Sequence, residues 1–541
     1  MKFYPTKLFY YLPLFITSAS MSLAQDTFID VEWEYAGDGT TWDDPFAWRV
    51  IDRLTWGTST VISGVPDDTS RVAIGKDLTL DTDRQVSSLL TSYGTPVRTL
   101  NLNGNTITVD SIYYGSEAFD IRSNSESVVG GLTVQGGDLY LTKTADKTKN
   151  MVDGEWDGTW TTVAKEVGTN TINLDLSENS YKGTKSKTIT FASDSNVFST
   201  ENLQVNGYAS TQSFVNIQGS LTAQYNDVYK SLTVNKTTLT IEEGADVKIG
   251  ALTVRSNSIM NVNGALQVAP TDLARDSSNV AVGTGSVLNI NNKMILTASG
   301  TDTHNMSIYG TVNIAGAGEL NTTGGYGNVN IHNGGVLRLA SGVGTFSCGS
   351  SIRLGDGGKV IFDAPDVWKD AGDGSNMRTF SLWMSSTTNQ ADLSMSYIEV
   401  NAHTTFNGLS FGVNAEDRYG AQLTITFGDD PNAILDLKYL TVACDINQGY
   451  LWNEDSKLVL VNFENGKIRM SEGLREASGD FYDNLDLISA EGFEDGSFRV
   501  EEWDDGYYYL VGTAVPEPAA FAAALSMLAL AFAVYRRKAV K

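Results

Sequence analysis

Four pairs of adjacent aspartates, Asp43-Asp44, Asp67-Asp68, Asp429-Asp430 and Asp504-Asp505, are the groups best suited to general acid–base chemistry in this chain. Glycoside hydrolysis needs two carboxyl groups flanking one bond. Neighbouring residues on a strand point to opposite faces, so a sequential pair is a poor catalytic pair. Asp429-Asp430-Pro431-Asn432 and Asp67 after Pro66 read as turns. No residue is assigned a catalytic role, and the chain is expected not to be an enzyme.

Nucleophilic and metal chemistry are equally sparse. The three histidines, His304, His332 and His403, lack the spacing of a zinc-binding helix. No Gly-x-Ser-x-Gly elbow occurs. The Gly-Lys pairs at 75–76, 358–359 and 466–467 lack the Ser or Thr that follows in a phosphate loop. Gly316 and Gly318 sit in a β repeat, not between strand and helix, which argues against a nucleotide site. Gly37-Asp38-Gly39 and Gly355-Asp356-Gly357 could touch calcium, but neither the EF-hand spacing nor the nine-residue calcium repeat is present. No cofactor and no metal is expected. Trp156, Trp160 and Trp452 are the candidate glycan-stacking residues. Cys348 and Cys444 could pair in an oxidising compartment, but their separation in space cannot be read from the chain.

The elements that must carry these groups read as short strands. The chain has 52 glycines and only 10 prolines, with abundant Thr, Asn and Val, a composition suited to many strands joined by tight turns. From about 116 to 360 apolar residues alternate with polar ones: Leu232/Val234, Leu239/Ile241, Val247/Ile249, then Leu252/Val254 20 residues after the first pair. Glycines such as Gly244, Gly250, Gly264, Gly285, Gly310 and Gly318 recur in the gaps. About three strands per repeat is what one coil of a parallel β-helix needs. A coil cannot bury its apolar residues alone, and stacking closes the core. Asn261, Asn263, Asn289, Asn313 and Asn330 flank the apolar positions and could form ladders at coil corners. Residues 120–230 are less regular, and Lys143–Asn150 with the segment to Trp160 reads as loops or an insertion. Helix is expected only at Ser471–Ala477 and in the tail.

The termini speak of export. Lys2 and Lys7, the apolar run Leu8–Ile16, and Ser22-Leu23-Ala24 form a signal peptide cleaved after Ala24. At the other end, Pro516-Glu517-Pro518 precedes the uncharged run Ala519–Val534 and the basic Arg536-Arg537-Lys538. Prolines stop the preceding strand, the run can form a helix that satisfies its own backbone in lipid, and the basic cluster holds its end in the cytoplasm. The span is short: 16 residues at about 1.5 Å each give roughly 24 Å, below a hydrocarbon core of roughly 30 Å.

This tail resembles the PEP-CTERM sorting signal of Gram-negative bacteria that make extracellular polysaccharide. The resemblance covers about a twentieth of the chain. It implies recognition near Pro516-Glu517-Pro518 by a membrane-embedded exosortase, whose own cysteine does the chemistry, and removal of the span. The tryptophan-rich start, Trp33, Trp42, Trp48 and Trp56 with Gly64-Val65-Pro66-Asp67-Asp68, resembles the opening of exported bacterial β-solenoid proteins, including autotransporter passengers. Aromatics there could cover the open strand edges of a stack.

The expected plan is all-β: signal peptide 1–24, tryptophan-rich β cap 25–115, β-solenoid 116–360, acidic β region 361–511, and sorting signal 512–541 with a transmembrane helix over 519–535. Lys and Arg number 38 against 64 Asp and Glu, a formal charge of −26 that repels nucleic acid and anionic lipid. Between Met470 and Leu510 stand 12 acids and two arginines. The expected role is structural or adhesive, at the cell surface or in the extracellular matrix, after transient anchoring in the inner membrane by the C-terminal helix. The partners are an exosortase and extracellular polysaccharide or other surface proteins, with no nucleic acid. The alternatives are a polysaccharide lyase or hydrolase, or a carbohydrate-binding protein, on the same scaffold.

Overall fold

The computed structural model describes residues 31–37, 41–52, 60–61, 64–92, 95–113, 117–122, 128–177, 186–268, 279–297, 305–323, 328–332, 334–342, 345–347, 352–365, 380–381, 394–413, 421–445, 457–476, 481–515 and 518–539. Among these residues, sheets of 21, 15 and 11 strands account for nearly all the strand, and a two-stranded hairpin stands apart. The chain visits the three sheets in turn. Leu232–Asn235 joins the first, Thr238–Ile241 the second and Asp246–Ile249 the third. Leu252–Arg255 then pairs in parallel with Leu232–Asn235, Leu252 opposite Leu232. The result is a β-helix-like stack of coils.

Alternation sets the register. Val234, Val254 and Val282 are aligned in the first sheet, Ile241, Val262, Ile290 and Ile314 in the second, and Ile249, Val268 and Leu296 in the third. None is more than 6% exposed. Each such side chain contributes about 1.5–3 kcal/mol by burial, and a one-residue slip would turn the whole column to water. One apolar cluster runs from Trp33 to Leu510.

The corners explain the recurring glycines and add a feature the alternation does not announce. Gly244 has φ +86°, which side-chain-bearing residues rarely adopt, and a Cβ on Gly310 would lie 2.4 Å from the carbonyl oxygens of Gly283 and Ser286. At the corners leading into four successive second-sheet strands, the residues Ser213, Thr237, Ser258 and Ser286 are buried. Thr237 Oγ1 donates to the Ser213 carbonyl (2.8 Å), and Ser258 Oγ accepts from Thr237 N (3.4 Å) and donates to the Arg255 carbonyl (2.6 Å).

The asparagines do form ladders. Asn289 Nδ2 donates to Asn261 Oδ1 (2.8 Å) and Asn313 Nδ2 to Asn289 Oδ1 (2.9 Å). These three lie within strands on the outer face of the second sheet, not at corners. Asn291 to Asn263 (2.8 Å) is the corner rung. Asn330 belongs to the first sheet, between Ser307 and Arg353.

Several expectations need adjustment. Among the described residues from Thr171 to Tyr225 the strands follow the coil order, and the departures are the hairpin Ala145–Val152 and Glu155–Ala164 and the short antiparallel pairing of Ser220–Tyr225 with Val228–Tyr229. Residues 471–476 are not helical: Leu474 bridges Leu440, because the core makes use of its apolar side chain. A short 3-10 turn occurs instead at Leu485–Leu487. The third sheet ends at Thr345–Ser347 among the described residues, while the second continues through Ser394–Val400, Ala421–Phe427 and Lys457–Val461 to Ile488–Ala490. Parallel coils therefore run well past residue 360.

The tail is helical over Pro518–Ala539. Proline suits a first helical position, where its missing N–H costs nothing. The described side chains of this helix, 525–536, are all exposed. Among the described residues no helix is long and apolar enough to cross a membrane.

Candidate binding surfaces

Each aspartate pair proves to be turn chemistry. Asp44 Oδ1 accepts from Phe46 N, Asp67 Oδ1 from Thr69 N and Ser70 Oγ, Asp430 Oδ1 from Asn432 N, and Asp505 Oδ1 from Tyr507 N. Asp43 pairs with Arg84 at 2.5 Å. His332 stacks on Tyr309 (centroids 5.0 Å apart), and burial pushes its pKa down. His304, Cys348 and Trp452 lie outside the described residues, as do Ala24, Pro516 and Glu517. Cys444 lies in the strand Leu435–Asp445 and Trp156 in Glu155–Ala164, but their side chains are outside the described set. Pro518, Arg536, Arg537 and Lys538 belong to the tail helix. Among the described residues no group of His, Cys, Asp or Glu is arranged to hold a metal.

The structure gathers three charged clusters from residues distant in the chain. The first is internal. Arg122 forms a bidentate pair with Glu32, and its Nε donates to Asp120 Oδ2 at 2.8 Å. All three are at most 5% exposed. Glu32 sits on the strand Val31–Tyr35, so the cluster ties the first described strand to a coil 90 residues later. The tryptophans of this end are internal too: Trp42 and Trp48 are fully buried, meet edge to face at 4.8 Å, and Trp48 Nε1 donates to the Trp42 carbonyl at 2.7 Å. Their burial leaves no face for a sugar. Trp56 lies outside the described residues.

The second cluster lies on the outer face near the end of the stack. Arg469 contacts Asp436 Oδ2 through Nε (2.9 Å) and Nη2 (2.5 Å), and His403 Nε2 is 3.4 Å from both Asp436 and Arg469. The hydrogen bond to Asp436 holds the guanidinium above its ordinary pKa. Tyr507 lies beneath Arg469 (4.8 Å), and Trp503 stacks on Tyr509 (4.0 Å). Tyr509 donates to Asp505 at 2.6 Å. Burial, then this bond, raises the phenol pKa, while the same bond lowers that of the carboxylate. A phenol held protonated does not serve as a base.

The third cluster is at the root of the hairpin. Trp160 meets Tyr113 edge to face (5.5 Å). The Lys149 ammonium is 5.8 Å from the Trp160 ring centre, and Lys147 and Arg71 are each 5.9 Å from that of Tyr113. Beside them, Asp146 is bound by Lys143 (2.5 Å) and Lys165 (2.8 Å). Burial alone would raise the Asp146 pKa, but the two lysines together bring it below the usual value. Trp160 thus holds a cation and packs on Tyr113, rather than offering both faces to a sugar. The alternating Lys143-x-x-x-Lys147-x-Lys149 was the signal available in the sequence.

No protein-family model matches the chain, and neither a curated protein nor a solved structure matches it.

Proposed function

We propose that this chain is an exported, non-enzymatic surface protein whose stacked coils form a structural or adhesive rod, delivered by an exosortase that reads its C-terminal segment. The observation that supports it is the unbroken parallel stack. Fifteen strands in the second sheet, at about 4.8 Å per rung, give a rod about 70 Å long. Its outer face over six consecutive coils carries Thr188/Thr190, Phe214/Asn216, Thr238/Thr240, Ile259/Asn261, Val287/Asn289 and Thr311/Asn313, an uncharged repetitive surface in a chain of net charge −26. In this reading the buried tryptophans and the antiparallel pair Val31–Tyr35 and Trp48–Asp52 close one end. The hairpin Arg499–Glu502 and Tyr508–Val511 closes the other.

The tail fits the same reading. Leu525, Met527, Leu528, Leu530, Phe532 and Val534 are each more than half exposed around the helix, so it packs little apolar surface on the body. The uncharged run 519–534 within the helix Pro518–Ala539 is shorter than a hydrocarbon core of roughly 30 Å, which suits a segment held briefly and then cut rather than a lasting anchor. The body would then lie outside the cytoplasm, and the tail would be removed. Intact mass of protein released from the envelope of an exosortase-bearing host tests this: the expected species ends near Pro518, and a mature product retaining Arg536 to Lys541 would refute it.

A polysaccharide-active enzyme is the second reading, supported by the gathering of His403, Asp436 and Arg469 from successive coils beside Tyr509 of the closing hairpin. Shortening of acidic glycans by the purified chain, lost on His403→Ala, would establish it against the structural role.

A further inference from the structure

We infer that the outer face of the second sheet, from the strand Lys187–Phe191 to the strand Thr311–Gly316, is a docking track for a neutral, extended polysaccharide. The inference rests on the surface reading above and names the ligand class of that surface. Two columns of side chains make the track. One runs from Thr188 through Phe214, Ile259 and Val287 to Thr311, the other from Thr190 through Asn216, Asn261 and Asn289 to Asn313. All of these are half-buried. Neither column holds a charge. Lys187, which heads the first strand, is buried, and Asp194, Lys236, Glu242, Glu243 and Arg255 lie at strand ends or turns outside both columns.

The polar column is set before any ligand arrives. Asn261 Nδ2 donates to Thr240 Oγ1 (3.3 Å), Asn289 to Asn261 and Asn313 to Asn289, each toward the rung before it. An amide has two N–H donors and an oxygen with two lone pairs, so Asn261 and Asn289 each keep one donor and one acceptor after the ladder is made. A sugar hydroxyl is both donor and acceptor and matches what they keep. Side chains already held in a ladder lose little freedom on binding. Phe214, Ile259 and Val287 in the other column suit the C–H faces of sugar rings. A sugar in an extended β-linked chain advances by close to one rung spacing, about 4.8 Å.

Charge and area select the occupant. A net charge of −26 repels a polyanion, whereas a neutral chain meets no such barrier. Six rungs by two columns make a face of roughly 30 by 10 Å, about 300 Å². A stable protein interface needs about 800 Å² per partner, so the track has the footprint of one extended chain and not of a second copy. The main-chain groups of these strands are engaged in the parallel ladders, so the face offers no edge for an added peptide strand.

The test is binding of the full chain to hydroxyethylcellulose, to cello-oligosaccharides of increasing length and to polygalacturonate, at low and high salt. The expected result is binding to the neutral glycans alone, indifferent to salt. Affinity should rise with oligosaccharide length up to about six sugars, close to one per rung. Asn261→Val with Asn289→Val should weaken binding about tenfold or more, through the loss of two hydrogen-bonding amides. Asn261→Thr with Asn289→Thr, which keeps a hydroxyl on each rung, should retain it. A cooperative melt above the assay temperature verifies that the variants fold, and the length series on the unaltered chain stands without them. No binding to the neutral glycans, equal binding to the polyanion, affinity that levels at a single sugar, or indifference to the valine pair overturns the inference. So does self-association of the chain that the valine pair abolishes, which would assign the face to a second copy. A chain whose tail is processed as expected but which binds no neutral glycan rejects this ligand and leaves the surface reading intact.

Discussion

Replacing Arg122 with methionine should loosen one end of the stack without unfolding the rest. Arg122 holds two carboxylates, Glu32 and Asp120, that are 2% and 5% exposed. Removing the cation from a buried cluster of this kind costs about 3–5 kcal/mol, because two buried carboxylates stay behind without its charge. That raises the open population of the affected coils by roughly a hundredfold to several thousandfold. Coils contact mainly their neighbours, so the cost stays local. Hydrogen exchange should show lost protection at Val31–Tyr35, Arg71–Ile74 and Glu117–Asp120, with Val287–Ile290 unchanged. Neutralising the acids in the same background, Glu32→Gln with Asp120→Asn, should recover much of the loss. If Arg122→Met costs only about 1 kcal/mol or less, as an exposed pair would, the cluster is not the tie described here.

Other expectations are simpler. Leu288→Ala removes a fully buried side chain from the second sheet and should cost about 2–5 kcal/mol in denaturant titration. Asn289→Ala removes both a donor and an acceptor from the ladder and should cost about 1–2 kcal/mol, read as a shifted midpoint at constant slope. His332 is held neutral by burial, below the ordinary value of 6.5. The unfolded chain therefore takes up the proton first as pH falls. Stability should decline as pH drops from about 6.5 through the lower folded value, and His332→Phe should remove that component of the slope in pH-dependent melting.

The alternation was legible because a half-buried strand must present every second side chain to the core, as Leu232/Val234 and Leu252/Val254 do. The burial of Ser213, Thr237, Ser258 and Ser286 was not, because small polar residues at corners look like ordinary turn residues until the coils are superposed. Nor were the charged clusters: Glu32 and Arg122 meet across 90 residues, and His403 meets Arg469 across 66. Helix was expected at 471–477, but among its described residues Leu474 packs against the core and bridges Leu440 instead. Trp160 was picked out for its ring, and the structure adds the cations that surround it.

The stacking of rungs is tested most directly by cysteine pairs in a Cys348→Ser, Cys444→Ser background. Thr233 and Thr253 are opposite each other on adjacent rungs, and Thr253 is opposite Ala281 on the next. Adjacent rungs lie about 4.8 Å apart, within the 4.4–6.8 Å that a disulfide spans between Cα atoms, whereas two rungs, about 9.6 Å, exceed it. Thr233→Cys with Thr253→Cys should therefore oxidise to an intramolecular bridge, and Thr233→Cys with Ala281→Cys should not. Bridging of the second pair, or failure of the first, would contradict the coil-on-coil register on which the account depends.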